Sequence, residues 1–132
     1  MEYKKYDEYE EINIGDVLAL YVDYDEENHC FDTSDKVIKA YNHTLFPQTM
    51  VIGVCTGINN NTVTVQNTGI CDINVTGIIC LGDKLQASDK PGYASAIKYV
   101  EQDETIFGIR SIGKVISLYR DYSKAKILLD IE

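Results

Sequence analysis

A chain of 132 residues, 45% hydrophobic and 25% charged, is long enough to fold as one domain around its own core. Its net charge of −9 argues against binding a phosphate backbone, which needs clustered Lys and Arg. No apolar run reaches the ~18 residues that cross a bilayer, so neither nucleic acid nor a membrane is expected as a partner.

Residues 1–11, MEYKKYDEYEE, form an acidic arm too polar to serve as a signal peptide. Tyr3, Tyr6 and Tyr9 recur every third residue and would line one side of a short helical turn. Such a stripe suits either docking on a partner subunit or folding back onto the chain's own body.

From residue 12 to 132 the pattern is that of a single β domain. Short β-branched and aliphatic runs alternate with Gly, Asn and Asp punctuation, and no helical period is sustained. The predicted strands are Val17 to Val22, Val37 to Tyr41, Met50 to Cys55, Thr62 to Asn67, Ile70 to Val75 and Gly77 to Cys80. They continue with Lys84 to Ala87, Ala94 to Ile97, Ile112 to Tyr119 and Lys124 to Ile131. DEEN is read as an acidic hairpin tip, and GINNNTVTVQNTGICDINV as a hairpin turning at NTG. The SDKPG stretch places Pro91 and Gly92 in a turn, and KYVEQDET is the one further candidate for a short helix.

The phrase INIGDVLAL is answered downstream by IICLGDKLQAS. Each is followed by an Ile-Gly strand phrase, VIGV and later SIGKV, so the domain reads as a loose internal duplication with halves of about 12–76 and 77–132. Gly15 and Gly82 suit turns that need a positive φ, and Asp16 and Asp83 can cap those turns by accepting a backbone N–H. A paired-carboxylate site would instead need Asp16 and Asp83 within ~5 to 9.5 Å, and turn chemistry already accounts for both.

Catalytic and metal signatures are sparse. Cys30, Cys55, Cys71 and Cys80 form no C-x-x-C pair, which gives no support for a metal site; Cys55, Cys71 and Cys80 sit in apolar runs as expected buried thiols. His29 and His43 are the only imidazoles, and no nucleophile elbow, phosphate loop or zinc helix motif occurs. The cluster Asp23, Asp25, Glu26 and Glu27 lacks the register of a calcium loop. No catalytic residue, cofactor or metal is therefore assigned, and an enzyme would need Asp16, Asp23 or Asp83 to converge in a cleft.

The order YDEYEEINIGDVLAL, MVIGVCTG, VTGIICLGDKLQASDKPGYASAI and SIGKVISL resembles a β-rich module of tailed-bacteriophage virion proteins, found at the ends of tail and appendage fibres. The second half is also similar to small phage head-decoration proteins. The resemblance implies a compact β-barrel or β-clip-like, non-enzymatic homotrimer. It would be made in the host cytoplasm and displayed on the virion surface against capsid or another virion protein. The alternative it implies is a fibre tip that binds a host-surface receptor. On the decoration reading Tyr3, Tyr6 and Tyr9 are expected to make part of the contact with the capsid or a neighbouring subunit, whereas a receptor binder would show a concave Tyr-lined or Asp-lined pocket between subunits. Gly15, Asp16, Gly82, Asp83, Pro91 and Gly92 are expected as structural turns.

Overall fold

A computed structural model describes residues 1–41, 51–97 and 111–131. The elements are β1 (Glu2–Lys5), β2 (Val17–Asp25), β3 (Cys30–Lys39), β4 (Val51–Asn59), β5 (Thr62–Gln66), β6 (Thr68–Asn74), β7 (Lys84–Ala87), β8 (Ala94–Ala96), β9 (Gly113–Leu118) and β10 (Lys124–Asp130). The fold is all-β, with no helix among the described residues. The stretch KYVEQDET and His43 lie outside those residues.

Strands β1 to β5 pair in the order β1-β3-β2-β4-β5, and β5 pairs back onto β1. Strands β6 to β10 pair in the order β6-β10-β9-β7-β8. These are the same arrangement written twice, with β1 matching β6, β2 matching β7 and so on to β5 and β10. The registers agree residue for residue. Val17 faces Val54 and Leu18 faces Gly53 in the first unit; Lys84 faces Lys114 and Leu85 faces Gly113 in the second. The parallel partnership of Lys5 with Val37 is matched by a parallel bridge between Val75 and Ala94. Even the irregularity repeats: the ladder skips Thr56 between β4 and β5, and skips Ile116 between β9 and β10. A bulge fixes local register and twist, so a shared one means the two units share geometry as well as strand order.

The interiors follow the same correspondence. Leu18, Val37, Cys55, Val63 and Val65 fill the first unit, and Leu85, Ala94, Val115, Ala125 and Ile127 stand at the matching places in the second. Strand alternation sends the intervening residues outward, and there the units differ. Val17, Ala19 and Val54 are buried against the second unit, whereas their counterparts are exposed Lys84, half-buried Gln86 and exposed Lys114. Burying a valine contributes about 1.5 to 3 kcal/mol, so this apolar outer face holds the units together.

Three sequence expectations are corrected by these pairings. The N-terminal stretch forms β1 and not a helical turn, because Tyr3 packs on the first core while the backbone of Glu2–Lys5 pairs with both β3 and β5. The NTG stretch is not a hairpin turn: β5 pairs with β4 and β1, and β6 with β10, so the chain changes sheets at Asn67. Gly69 adopts φ 84° and the Gln66 amide donates to the carbonyls of Thr68 and Ile70, which shapes the switch. The halves defined by strand pairing thus meet at Asn67, ahead of the 76/77 division that the Gly-Asp phrases suggest. Finally, Gly77 to Cys80 joins no ladder and is a connection into the second Gly-Asp turn.

That third correction alters one thiol. Cys55 and Cys71 are buried as expected, but Cys80 is exposed, as is Cys30. Burial pushes the Cys71 thiol up to about 11 and raises Cys55 in the same direction. Two thiols, Cys30 and Cys80, should therefore react with Ellman's reagent in the folded protein, and the other two only after denaturation. Stoichiometric release from four thiols without denaturant would contradict this placement.

Candidate functional site

The two Gly-Asp turns are built alike. In each, the Asp N–H donates to the carbonyl three residues earlier, Asp16 to Asn13 at 3.1 Å and Asp83 to Cys80 at 3.1 Å. Gly15 at φ 93° and Gly82 at φ 85° take the third place of the turn, where a positive φ is required. In each, Oδ2 of the Asp accepts the N–H of the same earlier residue, from Asn13 at 2.8 Å and from Cys80 at 2.9 Å. Each then locks onto the strand of its own Ile-Gly phrase. Gly15 donates to Cys55 O and Cys55 donates to Asp16 O; Gly82 donates to Val115 O and Val115 donates to Asp83 O. Turn duty thus accounts for Gly15, Asp16, Gly82 and Asp83.

The difference lies in what surrounds them. Asp16 is only 3% exposed, and its Oδ1 accepts the side-chain amide of Asn74 at 2.9 Å; Asn74 N–H donates to Gly15 O. Gly92 covers the same spot: its N–H donates to Ala40 O and its carbonyl accepts from Val17. A Cβ on Gly92 would stand 3.0 Å from the Asp16 carboxylate, and one on Gly15 2.9 Å from Asn74 Oδ1. Pro91 and Gly92 are the middle of a turn closed by Tyr93 N–H on Lys90 O, with Gly92 at φ 84°. This turn, and Asn74 with it, clamps the second unit onto the first. By contrast a Cβ on Gly82 would meet nothing within 4 Å, and Leu81 is 66% exposed.

The three arm tyrosines are not brought to one face. Tyr3 packs on the first core, Tyr6 stacks on Tyr21 with ring centroids 3.5 Å apart, and Tyr9 is 88% exposed. A strand followed by a turn cannot keep the every-third-residue stripe that a helix would.

The acidic hairpin is longer than the sequence indicates. Among the described residues, only Val17–Ala19 of β2 pair with β4 and only Lys36 and Val37 of β3 pair with β1, so from Tyr21 to Asp35 the ladder described is that of β2 with β3 alone. At its tip Asp25 accepts from the backbone and side chain of Asn28, which holds its carboxyl below the usual range. Tyr24 and Phe31 pack together with centroids 5.1 Å apart, both exposed.

On the second unit, Ile78, Leu118, Tyr119, Tyr122 and Lys124 line an apolar cleft of about 270 Å³. The Tyr119 hydroxyl donates to Asp72 at 2.6 Å, and that hydrogen bond raises its pKa. Among the described residues no group of three or more His, Cys, Asp or Glu stands together as a metal site.

Sequence reasoning missed Asn74, and it treated the Gly53 and Gly113 phrases only as landmarks. A Cβ on Gly53 would lie 2.2 Å from Gln66 O, and one on Gly113 2.6 Å from Leu128 O, again at matching places. The signal available was the recurrence of Ile-Gly at the strand facing each Gly-Asp turn. Comparison with protein-family models, with curated proteins and with solved structures gives no match.

Proposed function

We propose that this chain is a non-enzymatic structural protein of a tailed-bacteriophage virion, one that self-associates as a homotrimer and decorates the particle surface. The observation that carries the reading is the one-sided contact between the two repeats. Asp16 and Asn74 are engaged in fastening unit to unit, and what the molecule offers outward is interaction surface. The sequence resemblance supplies the virion setting, with capsid or another virion protein as the partner and exposed Tyr9 as the arm's contact. No cofactor enters this role. A ligand that binds only the assembled lattice stabilises it by roughly 1.4 kcal/mol for each tenfold excess over its dissociation constant.

A second reading, a fibre tip that binds a host-surface receptor, is favoured by the apolar cleft at Ile78 and Tyr122. The test of self-association is mass in solution. Light scattering behind a sizing column should give three times the 14.9 kDa chain mass; a monomer at every concentration would remove the trimer.

A further inference from the structure

We infer that a second copy of this chain docks head to tail on the outer face of the second unit, repeating between chains the contact its two units make within one, with Lys4 of one copy on Asp83 of the other. This deepens the self-association proposed above and rests on it.

The contact within the chain is heterologous. The first unit contributes Gly15, Asp16, Val17 and Ala40, while the second contributes Asn74 and Gly92. Because the units are repeats, each also carries the counterpart of the other's surface. Gly82, Asp83 and Lys84 in the second unit match Gly15, Asp16 and Val17. Lys4 and the β2–β3 hairpin in the first unit match Asn74 and the Gly92 turn. A two-fold relation would use both sets at once. Here the counterparts stand outside the contact: space around Gly82 is open, and Lys4 and Lys84 are exposed. A one-handed contact of this kind leaves one donating and one receiving surface per chain, and it propagates into a ring where the rotation closes.

The chemistry of the unused surfaces is complementary. Asn74 on Asp16 becomes Lys4 on Asp83, an ammonium facing a carboxylate. Asp83 already commits Oδ2 to Cys80 N–H, which leaves Oδ1, the oxygen whose counterpart on Asp16 accepts the Asn74 amide, as the acceptor for Lys4. The short Gly92 turn becomes the long hairpin bearing Asp23, Asp25, Glu26, Glu27, Asp32 and Asp35. On the receiving face, the buried Val17 and Val54 have exposed Lys84 and Lys114 at their places. Matching acid to base across a contact sets both partner and register. A two-stranded ladder has little stability alone, so docking would also add cover to this hairpin.

Sedimentation velocity on the full chain tests this. Lys4→Glu and Asp83→Lys should each weaken self-association by about tenfold or more, and the double variant should recover most of that loss. An oligomer indifferent to both single changes, or a double variant no better than the singles, overturns this docking mode and leaves the trimer reading intact. A wild-type chain that stays monomeric overturns both. Asp83→Lys also removes a turn cap; should its melting curve show misfolding, Lys84→Glu carries the test, and unchanged association there overturns the proposal.

Discussion

A Gly53→Ala variant is expected to lose about 3 kcal/mol or more of stability, and with it on the order of 10 °C in melting temperature. The added methyl would stand 2.2 Å from the Gln66 carbonyl oxygen and 2.6 Å from Val65 Cγ1. The first of these is backbone in a paired strand, so no side-chain rotation relieves it, and β4 must separate from β5 locally. The repeat supplies its own comparison. Gly113→Ala meets Leu128 O at 2.6 Å and should be nearly as damaging, whereas Gly77→Ala, with nothing within 4 Å, carries only the cost of its positive φ, about 1 kcal/mol. Thermal melts of the three variants check this, and equal losses at Gly53 and Gly77 would refute the close-approach argument.

Asp16→Ala should cost about 3 kcal/mol, and Asp83→Ala about 1 kcal/mol. Both remove the oxygen that caps their turn. At Asp16 the change also strands the buried Asn74 amide, whose remaining bond to Ile14 O is long at 3.3 Å. Leaving a buried donor without its partner carries the desolvation penalty, which exceeds the net worth of the bond. A denaturant-unfolding cycle with Asn74→Ala should show coupling between positions 16 and 74, and independent additive losses would show that the clamp is not a unit.

The parts of this fold that were legible are those whose cause is local. Gly15 and Gly82 announce turns because few residues accept a positive φ, and Asp16 and Asp83 announce caps because carboxylates accept nearby N–H groups. Lys84–Ala87 came out with its true bounds because alternation and flanking turns mark it on both sides. What escaped depends on partners distant in sequence. Nothing within EYKK says that its backbone will lie between β3 and β5, since a four-residue strand with two Lys carries almost no apolar alternation. Likewise the break at Asn67 looks like a hairpin, because a turn that reverses a strand and one that hands it to another sheet use the same residues. The candidate site was half visible for the same reason: both Gly-Asp phrases could be read, but the asymmetry of their surroundings could not. Asn74 lies at the end of a strand in an unremarkable sequence, and only the fold places it on Asp16.

Every strand ladder among the described residues stays on one side of Asn67, and the backbone hydrogen bonds between the units run from turn to strand end, Asn74 N–H to Gly15 O and Val17 N–H to Gly92 O among them. During synthesis, strands β1 to β5 therefore have their ladder partners in one another before the second unit leaves the ribosome. Until then Val17, Ala19 and Val54 are uncovered. The five strands of the nascent first unit are thus paired with one another yet sticky on one face, and the natural quencher of that face is the next stretch of its own chain to emerge.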